Sequence, residues 1–261
     1  MKTREKAAMG RLEGKRALMT GAGGMLGGDL ARAFAAEGAD LVLTTRTASK
    51  LEPLAEDVRA MGRSAACVGC DFTDDAAIDR LAAEAWDAFG GIDAVLFSSQ
   101  PPDCNLGRIL DCPDEIFKEQ MQAIVWGPLR LMRALAPRMI GQGGGSVITI
   151  VSSTGFDPVP GYGAYGLAKG ALWTLTRYMA AEWGKGGIRV NAFTPGSVAT
   201  GDDEAAARLT QALSGETGML ERTALGRVGR NAECAGIAIH FASDESSFTS
   251  GQRVHVDGGR Y

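Results

Sequence analysis

Tyr165 and Lys169, in YGAYGLAK (162–169), stand four residues apart, one turn of any helix that carries them. A free phenol, titrating near about 10, is a poor proton carrier at neutral pH. An ammonium about 5 Å away at an effective dielectric of about 20 favours the phenolate by about 3 kcal/mol, against less than about 1 kcal/mol in bulk water. The pair therefore suits proton transfer to or from a substrate oxygen in a partly dry cleft. A second tyrosine, Tyr162, precedes the lysine by seven residues and shares its azimuth. It lies about 10.5 Å from Lys169 along a helix axis, against about 6 Å for Tyr165. It also follows Pro160 and Gly161, so it can precede the helix altogether. Tyr165 is the expected acid, with Tyr162 as its competitor.

The other chemical signal is TGAGGMLGGDLA (20–31), which follows a short apolar run and opens an apolar-striped segment with Leu30, Ala31 and Phe34 at helical spacing. Gly21, Gly24 and Gly27 give the spacing G-x-x-G-x-x-G. Such a loop turns the backbone N–H groups around Met25 and Leu26, and the end of the helix, toward a pyrophosphate.

The elements that hold these groups alternate. Strand-like runs fall at 16–20, 41–45, 65–71, 93–99, 146–153, 188–193 and 252–258. Helical patterns lie near 27–37, 49–61, 74–88, 114–139, 163–184 and 231–242. Continuous apolar strands divided by helices predict an α/β, doubly wound parallel sheet of about seven strands, covered on both faces. Residues 1–11 read as a tail and 12–261 as one dinucleotide-binding catalytic domain. Residues 197–226 form the one long excursion without a strand and are expected to be a substrate lid. Asp202, Asp203 and Glu204 suit the start of a lid helix, where negative charge complements the dipole.

Together these segments resemble the short-chain dehydrogenases/reductases over roughly residues 12–259. The carriers are TGAGGMLG (20–27), CDFTD (70–74), the serine of IVSSTG (150–155), YGLAK (165–169), RVNAFTPGSVAT (189–200) and SGQRVHVDGG (250–259). The resemblance implies hydride transfer between the nicotinamide of NADP or NAD and a carbonyl or secondary alcohol of a small substrate. Tyr165 would pass the proton, Ser152 would hydrogen-bond the reacting oxygen, and Lys169 would also bind the nicotinamide ribose. It also implies that Asp71 and Phe72 hold the adenine. Pro195, Gly196, Val198 and Thr200 would meet the nicotinamide side, and Ser98 the cofactor through its backbone. Three departures stand out. The glycine spacing is that of the family's longer members, the usual N-N-A-G is Phe97-Ser98-Ser99-Gln100, and a helix asparagine of the active site falls on Ile124.

Where NAD-preferring relatives carry an acidic side chain after the second strand, this chain has Thr45, followed by Arg46. Losing the carboxylate removes repulsion of a 2′-phosphate, and arginine offers it a bidentate cationic fork, so NADP preference is expected, with NAD possible. The Tyr162 spacing resembles that of enoyl-thioester reductases in the same superfamily, which is one alternative reading. A nucleotide-binding regulator or scaffold that has lost turnover is another, because Ile124 cannot hold a water or carbonyl bridge.

Composition narrows the classes. A net charge of −4 argues against a general nucleic-acid binder. The charged first 15 residues are no signal peptide, and no run approaches the ~18 apolar residues of a membrane span. Five cysteines in a chain of this size suit a reducing cytoplasm. Cys67 and Cys70 form a lone C-x-x-C on a predicted strand, without a second pair for zinc, so no metal is expected. Phe156, Val159 and Met219 are candidates for an apolar pocket wall. By analogy, pairing along the 114–139 and 163–184 helices would build a homotetramer or homodimer.

Overall fold

The structure, a computed structural model, describes residues 10–101, 107–214, 220 and 222–260. Seven strands form one parallel sheet: β1 (Arg16–Thr20), β2 (Asp40–Thr45), β3 (Ala65–Gly69), β4 (Ala94–Phe97), β5 (Gly145–Ile150), β6 (Ile188–Pro195) and, after a separate short pair, β9 (Arg253–Val256). Their order is β3-β2-β1-β4-β5-β6-β9. The strand order reverses between β1 and β4, and in such sheets ligands bind in the crevice beyond the strand ends at that point.

Strand side chains alternate between two apolar layers, which is why these strands read as unbroken hydrophobic runs. Ala17 and Met19 of β1 join the layer with Leu30 and Phe34 of α1 (Met25–Ala36) and Phe241 of α8 (Ala235–Ala242). Leu18 enters the opposite layer with Ile78 of α3 (Asp75–Phe89) and Leu131 of α5 (Gly127–Gly141). The remaining core helices are α2 (Glu52–Ala60), α4 (Asp114–Met121) and α6 (Gly163–Trp183). Asp74 caps α3, its carboxylate accepting from the backbone N–H of Ala76 at 2.9 Å.

Two expectations are corrected. The 114–139 helix is not uniform: Gln122–Trp126 winds as a π-helix between α4 and α5, the kind of insertion found often at functional sites. The 197–226 excursion is not free of strand: Val198–Ala199 (β7) pairs in parallel with Gly229–Arg230 (β8). The helix expected to start at Asp202–Glu204 is present as α7 (Asp203–Leu213). Among the described residues no helix is long and apolar enough to cross a membrane.

Candidate active site

A cleft of about 590 Å³ opens at the strand ends where the order reverses, and the glycine loop forms one wall. Gly21 leaves β1 at φ +65, and a Cβ there would meet the Ser98 carbonyl carbon at 2.7 Å. A Cβ at Gly27 would sit 2.2 Å from the Gly21 carbonyl oxygen. These two glycines let the first turn of α1 fold tightly against the loop. Gly24 supplies no side-chain cap, so the first N–H groups of α1 are left for a ligand. That uncapped, close-packed end fits a dinucleotide pyrophosphate. Gly21, Gly24, Met25, Leu26 and Gly27 all line the cleft.

Beyond the loop, Thr45 and Arg46 at the end of β2 line the same cleft. Thr45 packs on the loop, its Oγ1 lying 3.1 Å from where a Gly23 Cβ would be. Arg46 is exposed and makes no ion pair among the described residues. Asp71 is occupied: its Oδ1 accepts from the N–H and hydroxyl of Thr73 at 2.9 and 2.8 Å. Phe72 and Ser98 line the cleft as well, as do Pro195, Gly196, Val198 and Thr200.

Ser152, Tyr165 and Lys169 all line the same cleft. Lys169 is 2 % exposed, its Nζ donates to the Ile150 carbonyl at 2.7 Å, and it lies 5.5 Å from the centroid of the Tyr165 ring. The ammonium is buried, whereas Tyr165 is only half-buried on the cleft lining. The Tyr165 hydroxyl donates to Gln100 Oε1 at 3.3 Å. Ser152 lies two residues past β5 and caps the turn Ser153–Gly155, its Oγ accepting from the Thr154 N–H at 3.3 Å and hydroxyl at 2.9 Å. Small residues hold this turn against α6. A Cβ at Gly155 would meet the Gly170 nitrogen at 2.7 Å, and one at Gly166 the Thr154 carbonyl oxygen at 2.6 Å. The glycines at 166 and 170, one turn apart, are a sequence signal for this contact that sequence reasoning passed over.

Tyr162 is the N-cap residue of α6 and does not line the cleft. Ile124 is fully buried, packed with Val151, Ala168 and Leu172, while the neighbouring Ala123 faces the cleft. The Arg253 guanidinium lies over the Phe156 ring, 3.4 Å from its centroid. Val159 is half-buried, and Met219 falls outside the described residues. Burial pushes the Cys70 thiol up to about 12 and raises that of Cys67, so neither offers a ready thiolate.

Gln100 and Asn231 are among the polar lining residues that sequence reasoning missed. Gln100 was noted only as a departure from a motif. Asn231, 2 % exposed, donates to Asp29 Oδ2 at 3.0 Å and to Thr200 Oγ1 at 3.1 Å, joining α1 to the base of the lid. No local pattern marks it, since its partners lie far away in the chain.

A family model described as enoyl-(acyl carrier protein) reductase matches residues 21–260. Oxidoreductase UcpA of Salmonella typhimurium is 35% identical over 256 residues, covering 96% of both chains. Dehydrogenase/reductase SDR family member 4 of Homo sapiens is 31% identical, covering 95% of this chain and 88% of the relative. Among solved structures, a 7α-hydroxysteroid dehydrogenase complexed with NADH and 7-oxo glycochenodeoxycholic acid superposes with a TM-score of 0.86 at 29% identity, over 96% of this chain and 95% of that one. Fold, cleft and relatives agree: the chain belongs to the short-chain dehydrogenase/reductase family and is an NAD(P)-dependent oxidoreductase.

Proposed function

We propose that the chain interconverts a carbonyl and a secondary alcohol on a small organic substrate, with NADP preferred over NAD. The observation that carries this reading is that Ser152, Tyr165 and Lys169 line the same cleft as the glycine loop, with the Lys169 ammonium 5.5 Å from the Tyr165 ring centroid. The dinucleotide supplies or takes the hydride. Ser152 Oγ orients the reacting oxygen, and the Tyr165 hydroxyl gives up or regains the proton. Lys169, held by the Ile150 carbonyl, keeps positive charge beside the ring. The glycine-loop wall would hold the pyrophosphate, Asp71 and Phe72 the adenine side, Ser98 the cofactor through its backbone, and Pro195, Gly196, Val198 and Thr200 the nicotinamide side. Support for NADP is the combination of Thr45, which carries no charge, with an Arg46 free of carboxylates among the described residues.

The description of the matching family model favours one second reading, reduction of an enoyl thioester with Tyr162 as acid. Tyr162 lies off the cleft lining at the start of α6, which favours the carbonyl reading. One experiment separates them: NADPH oxidation assayed on ketones, aldehydes and enoyl thioesters with the Tyr165→Phe and Tyr162→Phe enzymes. Tyr165→Phe is expected to lower carbonyl turnover by about 10²–10⁴-fold, the usual worth of a placed general acid, with Tyr162→Phe near wild type. The reverse ranking would overturn the assignment. The reading carries with it a cytoplasmic enzyme acting as a homotetramer or homodimer. The exposed Trp126, Leu167 and Tyr178, at 39%, 58% and 63% on the segments around α5 and α6, support association there.

A further inference from the structure

Ile124 stands where an amide side chain was expected, and it is buried among apolar neighbours. The amide that does reach Tyr165 comes from a different element. Gln100 follows β4, lines the cleft and accepts from the Tyr165 hydroxyl at 3.3 Å. Its backbone is doubly constrained. The fully buried Thr20 at the end of β1 accepts, through Oγ1, the N–H groups of Ser98 at 3.2 Å and Ser99 at 3.3 Å. Pro101 then restricts Gln100 to extended backbone.

Resting on the carbonyl reading, we propose that Gln100 is a catalytic residue: its amide stays bonded to the Tyr165 oxygen through the proton transfer. In the free enzyme Gln100 Oε1 accepts the phenol O–H. Once substrate binds, that single proton turns to the substrate oxygen and the amide turns over, so that Nε2–H donates to a lone pair of the Tyr165 oxygen. When the Tyr165 O–H bond breaks and a new O–H bond forms on the substrate oxygen, the phenolate keeps the hydrogen bond from Gln100 Nε2–H. Gln100 itself neither gains nor loses a proton. An amide suits this task because it both donates and accepts and carries no charge. The charged groups facing the same cleft are Lys169 from α6, Glu119 from α4, Asp71 after β3 and Arg46 after β2. A neutral partner at the hydroxyl leaves the field of Lys169 uncancelled, whereas a carboxylate there would oppose it.

The test compares Gln100→Met, which keeps length and loses both polar atoms, with Gln100→Glu. Tyrosinate absorbance is titrated against pH, and subtracting the same curve from Tyr165→Phe isolates the one phenol. In Gln100→Met the midpoint is expected about one unit higher than in wild type, a tenfold change matching the loss of one hydrogen bond, and higher again in Gln100→Glu. The pH profile of kcat/KM for alcohol oxidation should move in step, with the dinucleotide Kd changed less than about twofold, as for a hydrogen bond that only the transferring oxygen feels. Coincident titration curves for wild type and Gln100→Met would overturn the proposal. If no alcohol or carbonyl is turned over by wild type, the carbonyl reading fails, yet the absorbance titration still decides what Gln100 does to Tyr165. Should Gln100→Met bind no dinucleotide, and so be misfolded, Gln100→Glu carries the same test.

Discussion

The glycine loop and the 197–226 excursion both border the cleft and are built in opposite ways. The loop joins β1 to α1, whose Met19, Leu30 and Phe34 are fully buried in a main core layer. Its shape is set by backbone against backbone, with no room for a single carbon at Gly27. The excursion rests on a small cluster of its own, Ala199, Ala206, Leu220 and Val228, with Leu209 and Leu213 beside it. Its ends are tied by caps and ion pairs at the surface, such as Asp202 at α7 and Arg227 with Glu233. A pyrophosphate held at close range by backbone N–H groups rewards a rigid cradle. A wall that must admit and release a substrate belongs among the less stable parts of a fold.

Four changes sharpen or break that contrast. The largest is Gly27→Ala, which forces a methyl against the Gly21 carbonyl at 2.2 Å. Dinucleotide affinity is expected to fall about a hundredfold and stability by about 3 kcal/mol, read by fluorescence titration and chemical denaturation. A variant that binds normally would show that the loop is not rigid. Next, Arg46→Ala should lower the NADP/NAD ratio of kcat/KM by about tenfold or more, the worth of a charge-assisted hydrogen bond. An unchanged ratio removes the argument for NADP.

Asp202→Ala removes the carboxylate that accepts the Ala205 N–H at 3.0 Å. It should cost the lid about 1 kcal/mol, seen as faster amide exchange in α7 and a several-fold rise in substrate KM, with dinucleotide Kd unmoved. If both constants shift together, the two walls are not independent. The smallest effect concerns pH. The Arg227 guanidinium and the Arg230 N–H hold the Glu233 carboxyl down at about 2, from an ordinary value of 4.5. A lowered folded value stabilises the protein above about 4.5, and that contribution is lost as pH falls toward 2. Glu233→Gln should therefore flatten the melting temperature against pH between about 5 and 2 by a small amount, because the pair is solvent-screened.

How much of this was legible beforehand follows the same divide. Every residue assigned to the dinucleotide from its motif lines the cleft, from Gly21 to Thr200. Around the lid, the helix start at Asp202 was legible through its cap chemistry. The pairing of Val198–Ala199 with Gly229–Arg230 was not, since two-residue strands have no periodicity to read. Nor was the π-helix at Gln122–Trp126, because an apolar stripe continues through it unaltered.

By itself the amino-acid order determined the alternation of strands and helices, the phosphate-facing turn, and the one-turn spacing of Tyr165 and Lys169. Those depend on side-chain period and on steric rules acting within a few residues. Only the folded chain decided that Gln100 meets Tyr165, 65 positions away, that Asn231 ties Asp29 to Thr200, and that Ile124 turns into the core. Such contacts are chosen by where sheet ends and helices converge in space. A local pattern encodes which face is buried, but not which distant group arrives beside it.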